Sequence, residues 1–233
     1  MSYINIREEE LKNKIAQNYF SDFDCTKILG NIDFCVQIPR RNRKQISLYD
    51  VEFLLWAEAK KGKTDILSAI VQLILTIGKA RTFTRHLPPP FLAAFDAEKM
   101  AFIPYNDIQE IFYQNDFNWN VRPSNHKTKE FKQTYQKVKN TMQQKSLLFF
   151  FGKDDKELQI FIKSNFVVGK FGTSKIQIDK NNFITIYNKW LNTVKPTIAI
   201  NWDAAKKKNL IDGDFYLADL LSKENKTLKD KLY

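Results

Sequence analysis

The chain has 233 residues, enough for one large or two small domains with a buried core. Its 43% apolar and 27% charged residues exclude disordered, collagen-like and membrane-embedded classes. Lysine and arginine total 37 against 26 aspartate and glutamate, which gives a net charge of +11. Such a positive field attracts polyanions, so nucleic acid is the first expected partner and an anionic membrane surface the second.

Neither the cysteines nor the first residues indicate secretion or insertion into a membrane. Cys25 and Cys35 lack a CxxC spacing and a histidine at zinc-like spacing, so neither a disulfide scaffold nor a zinc site is expected. No run reaches 18 apolar residues, and the start of the chain lacks the order of a signal peptide. We therefore expect a cytoplasmic protein that does not insert into membranes.

The first predicted elements are a helix and two strands. A helix over about residues 8–20 is predicted because Leu11, Ile15 and Tyr19 recur at the spacing of one buried face, and Glu8 lies on the same stripe. Residues 31–38 alternate as in a strand, with Ile32, Phe34, Val36 and Ile38 expected on one face and Asp33, Cys35 and Gln37 on the other. A basic turn at 39–44 leads to a second strand at 51–60.

The next elements are a helix and two short strands. Thr64 or Asp65 is a suitable N-cap for an amphipathic helix, and Gly78 is the expected stop. After three prolines, two short strands are predicted around a turn at 96–99. Residues 122–145 form a lysine-rich helical segment, 147–151 and 158–168 are predicted as strands, and the tail is predicted as a helix.

A carboxylate and an ammonium group leave the second predicted strand side by side. Glu58 and Lys60 are two residues apart, so they point to the same face. Asp33 lies on the polar side of the preceding strand, and the three groups converge if the two strands are neighbours. Two carboxylates at close range repel, and a divalent cation with oxygen ligands, above all Mg²⁺, is the usual remedy. Such a cation can activate water for attack on a phosphodiester.

These residues resemble the signature of the PD-(D/E)xK nuclease superfamily, with Asp33, the Glu58-Ala59-Lys60 string and Gln72 on the following helix. The resemblance implies that Asp33, Glu58 and the Ala59 carbonyl bind the metal. It also implies that Lys60 lies near the attacking water and that Gln72 lines the site.

The resemblance covers residues 5–80 and has implications for the fold. Many members carry a glutamate on the first helix, and Glu8 is the candidate here. The implied fold is α/β, a mixed central sheet flanked by helices, with a C-terminal α+β extension. The expected domains are a nuclease core at 1–120 and a basic helix plus extension at 121–233, which either packs with the core or stands apart.

Within the superfamily, the stretch WAEAKKGKTDILSAIVQLILTIGKAR is most similar to the N-terminal endonuclease domain of bacterial type IIG restriction-modification enzymes. The implied activity is cleavage of double-stranded DNA with Mg²⁺, for which Mn²⁺ can substitute. Methyltransferase and target-recognition domains are then expected C-terminal to this segment, and cutting both strands implies a transient dimer on DNA. The string PPPF at 88–91 lacks the Asn or Asp of the [DN]PP[YF] methyltransferase motif, so this segment is not expected to bind S-adenosylmethionine.

Basic residues beside the two strands are the candidate DNA contacts. They lie in the turn at 39–44 and in the turn after the second strand: Arg40, Arg41, Arg43, Lys44, Lys61 and Lys63. The lysine-rich segment at 122–145 either contacts phosphates or is a solvated face.

Two other functions stay open. One is a non-catalytic nucleic-acid-binding module in which the charged residues are only structural. The other is a repair or recombination exonuclease of the same superfamily, although Thr76 stands where some exonuclease branches carry tyrosine.

Overall fold

The computed structural model describes residues 3, 5–37, 53–84, 86–114, 116–145, 147–166, 183, 186 and 187. The chain divides into two compact units, Met1–Phe183 and Ile184–Tyr233. The helices of the first unit are α1 (Glu8–Tyr19), α2 (Ile66–Ala80), α3 (Tyr105–Ile108), α4 (Lys129–Lys145) and α5 (Asp155–Asn165). Its strands are β1 (Phe34–Gln37), β2 (Phe53–Ala59), β3 (Phe91–Phe95), β4 (Lys99–Pro104) and β5 (Leu148–Phe150).

Two predicted segments cannot be compared with the structure. The basic turn at 39–44, with Arg40, Arg41, Arg43 and Lys44, lies outside the described residues, as does the predicted helical tail. The division between the two units falls after Phe183, so the basic helix α4 belongs to the same unit as the sheet.

The described strands form one mixed sheet in the order β1-β2-β3-β4-β5. β1 runs antiparallel to β2, β2 runs parallel to β3, and β4 and β5 continue antiparallel. A parallel pair needs a crossover connection, and α2 lies in the connection between β2 and β3. The α/β class with a mixed sheet flanked by helices is therefore confirmed.

Each face of the sheet packs on a separate hydrophobic cluster. On the α2 face, Cys35 and Trp56 pack with Ile70 of α2 and Val138 of α4. On the α1 face, the cluster includes Phe34 and Ala57 of the sheet together with buried residues of α1 and α5, namely Leu11, Ile15, Leu158 and Ile162. The second strand is covered on both sides, and every residue of β2 is buried.

The start of the chain folds largely as predicted. The buried residues of α1 are Leu11, Ile15 and Tyr19. In contrast, Ile32 belongs to the α2-face cluster while Phe34 belongs to the α1-face cluster, so the predicted common face of these two residues is wrong. Ile32 lies before the strand, in a turn where its N–H donates to the Leu29 carbonyl, and regular alternation begins only at Phe34.

The ends of α2 show one correct and one wrong prediction. Asp65 is the N-cap, and its carboxylate accepts a hydrogen bond from the N–H of Leu67 at 3.2 Å. Gly78 does not stop the helix, which continues to Ala80 and is capped by Arg81 in a left-handed conformation, φ +48°. Gly78 is instead a packing residue, because a Cβ there would overlap the indole ring of Trp119.

Of the predictions for the later elements, some are confirmed and one is wrong. The hairpin of β3 and β4 and the short strand β5 are confirmed. The strand predicted at 158–168 is wrong, because α5 covers most of it and buries Leu158 and Ile162, four residues apart. None of the helices in the described part of the chain has the length and hydropathy needed to span a lipid bilayer.

Candidate active site

The carboxylate of Asp33 is held against the end of β2. Asp33 directly precedes β1, whose first paired residue, Phe34, lies opposite Ala57. Beyond that pair, the N–H of Ala59 donates to Oδ2 of Asp33 at 3.2 Å. The side chain of Asp33 therefore accepts the hydrogen bond that a backbone carbonyl of a longer β1 would accept. This bond joins Asp33 to the residue that follows Glu58.

Glu58 and Lys60 form an ion pair at this strand end. The carboxylate of Glu58 is almost fully buried, with 6% of the residue exposed. Nζ of Lys60 lies 2.6 Å from Oε1 of Glu58, and 28% of the Lys60 side chain is exposed. Residues two apart on a strand share a face, so Glu58 lies on the α2 face with Trp56.

The electrostatics show that three carboxylates share one field. The pKa of Glu58 is raised to about 7, first by burial and then by the charge of Asp33, while Lys60 opposes both effects. Glu8, half-buried in the first turn of α1, also has a raised pKa, caused first by burial and then by Asp33. We call Glu8, Asp33, Glu58 and Lys60 the carboxylate cluster. These four residues, which the family resemblance implies for catalysis, therefore influence one another electrostatically.

The loop after Lys60 is fixed by a buried aspartate that the sequence analysis missed. The N–H of Lys60 donates to the carbonyl of Phe95 at 2.9 Å. The next residue, Asp96, is fully buried and accepts hydrogen bonds from the N–H groups of Thr64 at 2.8 Å and Lys99 at 3.0 Å. Only the position of Asp96 in the predicted 96–99 turn could have indicated this role, since aspartate often accepts backbone hydrogen bonds in turns.

Two of the candidate DNA-contacting lysines lie in this loop. Lys61 is exposed. Lys63 has 72% of its side chain exposed, and its Nζ lies 3.1 Å from Oε2 of Glu98. Both lysines lie within four residues of Ala59, the last residue of β2, and the ion pair with Glu98 compensates part of the Lys63 charge.

Gln72 lies in a separate place, a cavity of about 370 Å³ beside α2. In the described residues, the hydrogen bonds and ion pairs of the carboxylate cluster involve Ala59 and Lys60 and not Gln72. We call this cavity the α2 cavity, and its lining residues are Asn31, Gln72, Thr76, Lys79, Ala80, Arg122, Pro123 and Ser124. Gln72, Thr76 and Lys79 recur at helical spacing along α2, but no sequence signal connects Arg122 with them.

Two members of the carboxylate cluster, Asp33 and Glu58, carry oxygen ligands of the type that a divalent cation takes. Lys60 contacts Glu58, and the pKa of Glu58 is nevertheless raised, first by burial and then by the charge of Asp33. A hard cation such as Mg²⁺ prefers oxygen ligands and is commonly held by one or two carboxylates plus water. No group of three or more His, Cys, Asp or Glu side chains in the described ranges is arranged so that it could hold a metal ion. A cation here would therefore depend on Asp33 and Glu58 with backbone or water oxygens.

Comparison with known proteins does not place the chain in a family. No family model matches it, and neither a curated protein nor a solved structure shows significant similarity to it.

Proposed function

We propose that this chain is a metal-dependent DNA endonuclease domain with a PD-(D/E)xK core, of the kind found in bacterial restriction-modification enzymes. One observation carries the proposal. Asp33, which directly precedes β1, accepts a hydrogen bond at 3.2 Å from the N–H of Ala59, the neighbour of Glu58 at the end of β2, and Lys60 contacts Glu58 there at 2.6 Å. This is the arrangement that the Asp33, Glu58 and Lys60 spacing predicts for such a nuclease.

The metal ligands would come from the strand ends. Asp33 and Glu58 would supply carboxylate oxygens to Mg²⁺ or Mn²⁺. In an extended strand the N–H and C=O of one residue point to the same neighbour, so the Ala59 carbonyl faces the side on which its N–H meets Asp33. A cation bound to these oxygens supplies Lewis-acid stabilisation of charge on a phosphodiester.

The ammonium group of Lys60 has the second role. It is partly exposed and bonded to only one oxygen of Glu58, which leaves donors for a phosphate oxygen or for the attacking water. Glu8 shares the field of Asp33 and Lys60 and would hold a proton or a water on the α1 side of the cluster.

The remaining parts of the proposal concern partners. Double-stranded DNA is the substrate, with Lys61, Lys63 and the basic turn at 39–44 as phosphate contacts. Methyltransferase and target-recognition domains would follow in a longer chain and bind S-adenosylmethionine outside this segment, and two copies would pair transiently on DNA. The free cysteines Cys25 and Cys35 agree with a reducing cytoplasm.

The test is hydrolysis of closed circular plasmid by the chain in Mg²⁺ or Mn²⁺. Wild type should nick or linearise the plasmid, whereas Lys60→Ala and Asp33→Asn should lose at least about 100-fold in rate and keep their affinity for DNA. The exposed residues Lys156 and Asp116 provide matched controls, since Lys156→Ala and Asp116→Asn change the same charges away from the cluster. Full activity of Lys60→Ala, or no hydrolysis by wild type with either cation, would overturn the proposal.

One observation favours the alternative of a non-catalytic nucleic-acid-binding module. In the described part of the chain no group of three His, Cys, Asp or Glu side chains could hold a metal, and the Lys60 ion pair already compensates part of the Glu58 charge. This alternative predicts DNA binding without hydrolysis and no binding of Mn²⁺ at Asp33 and Glu58.

A further inference from the structure

The α2 cavity is lined by positive charges and by hydrogen-bond donors. Among the described residues, its lining includes two cationic side chains, Lys79 and Arg122, and no carboxylate. Asn31, Gln72 and Ser124 add amide and hydroxyl donors. A concave site with convergent donors and no acid suits an anion with several oxygens, such as a phosphate group.

The cavity is built by contacts between distant parts of the chain. Nζ of Lys79 donates to the carbonyl of Val121 at 3.3 Å, which ties the segment carrying Arg122 to the end of α2. The hydroxyl of Thr76 donates to the carbonyl of Gln72 at 2.8 Å, so its hydrogen is already used within the helix. Among the contacts of the described residues, none uses the side-chain donors of Arg122, Asn31, Gln72 or Ser124, and the Lys79 ammonium has further N–H donors beside the one that meets Val121.

The cavity lies near the carboxylate cluster. Asn31 is two residues before Asp33, so their Cα atoms are at most about 7.6 Å apart. Glu58 and α2 are on the same face of the sheet. A DNA strand whose phosphate lies at the carboxylate cluster would therefore bring a nearby phosphate of the same strand within reach of the cavity.

We propose that the α2 cavity binds a phosphate of the DNA backbone, within a few nucleotides of the cleaved bond, through Lys79 and Arg122. The inference depends on the proposed function, because it takes DNA as the substrate. It adds a contact that positions the DNA strand. Arg122, which supplies part of this contact, lies more than forty residues from α2 along the chain.

The experiment measures DNA binding without catalysis. A fluorescein-labelled duplex is titrated in EDTA, by fluorescence anisotropy, with wild type, with Arg122→Ala and with the double variant Lys79→Ala/Arg122→Ala. The matched control is Lys156→Ala/Lys163→Ala, which removes the same two charges from exposed positions of α5, the helix on the opposite face of the sheet. Thermal unfolding of each variant shows whether the fold is kept, and Arg122→Ala alone serves if the Lys79 change disturbs the 121–124 segment.

The expected result is an affinity about ten-fold or more below wild type for the double variant and a weaker loss for Arg122→Ala. The slope of log Kd against log salt should decrease by about 2, because two phosphate contacts are lost. Equal losses in the α5 control would overturn the inference, since they would report total charge only. If millimolar inorganic phosphate binds in the cavity but Arg122→Ala does not change the affinity for duplex, the cavity is a site for a free anion. That result would also overturn the inference.

Because the titration contains no metal, failure of the nuclease proposal and failure of this inference are distinguishable. A protein that binds duplex through the cavity and never cuts DNA would contradict only the former. A protein that cuts plasmid and binds duplex equally well after the Arg122 change would contradict only the latter.

Discussion

Nζ of Lys60 lies 2.6 Å from Oε1 of Glu58, on the same side of β2 and at its end. The pair is asymmetric, since Glu58 is almost fully buried and Lys60 is partly exposed. The ammonium group therefore opposes the effect of burial on a carboxylate that also lies near the charge of Asp33. The protonation of Glu58 should respond to each of these neighbours.

The first prediction concerns Lys60→Met in the metal-free protein. Without the ammonium group, the pKa of Glu58 should rise above its wild-type value of about 7 by one unit or more. The measurement is a pH titration of the ¹³C carboxyl signal of Glu58. Lys156→Met, which changes an exposed lysine on α5, should leave the titration unchanged. An unshifted Glu58 titration in Lys60→Met would show that the ion pair does not exist in solution.

The second prediction concerns stability against pH. The pKa of Glu58 is raised in the folded protein to about 7 from an ordinary value of 4.5. The folded state therefore binds the proton more tightly, so the stabilisation is fully present below pH 4.5 and is lost as the pH rises through 7. Glu58→Gln cannot ionise. Its free energy of unfolding relative to wild type should increase by up to about 3 kcal/mol between pH 4.5 and 8.

Urea unfolding in EDTA at several pH values measures this difference. The change Asp116→Asn, at an exposed acid, is the matched control and should show no comparable trend. A difference between Glu58→Gln and wild type that is constant over this pH range would contradict the raised pKa.

The third prediction concerns binding of Mn²⁺. Metal binding requires the ionised carboxylate, so protons compete with the cation below the Glu58 pKa of about 7. Affinity for Mn²⁺ should be about ten-fold higher at pH 8 than at pH 6 and should level off above pH 8. Isothermal titration calorimetry measures the affinity, and Asp33→Asn should abolish binding. Affinity that does not change between pH 6 and 8 would place the cation elsewhere.

The fourth prediction concerns Gly78 in α2. Alanine is the better helix former by about 1 kcal/mol, yet its Cβ would overlap the indole ring of Trp119. We expect Gly78→Ala to destabilise the protein by about 1–3 kcal/mol, because the ring must move in a packed core. Urea unfolding followed by tryptophan fluorescence gives the change, and Gly78→Ala in a Trp119→Leu background should recover much of the loss. A stabilised Gly78→Ala variant would contradict the packing role.

Much of the sheet and its flanking helices was predictable, because strong local patterns determine them. The buried stripe of α1 and the Asp65 cap of α2 follow from spacing and residue type alone. The segment 158–168 failed because its isoleucines and phenylalanines favour strands, and the helical spacing of Leu158 and Ile162 is a weaker signal.

The candidate site shows the same limit. The Glu58 and Lys60 pair follows from the period of a strand, so the sequence could predict it. The joining of Asp33 to Ala59 depends on where β1 begins, and the α2 cavity depends on packing of the 121–124 segment against α2. Neither of these long-range arrangements leaves a periodic trace in the sequence.

The buried carboxylate of Asp96 connects the loop after Lys60 with the start of β4. It accepts hydrogen bonds from the N–H groups of Thr64, in the loop after Lys60, and of Lys99, the first residue of β4, and the N–H of Ala97 donates to the Gly62 carbonyl. The turn between β3 and β4 thus fixes the conformation of the loop after the Glu58-Ala59-Lys60 string. Under the proposed function, a change in the length of that turn would alter how DNA reaches Asp33 and Glu58 without changing any residue of the motif.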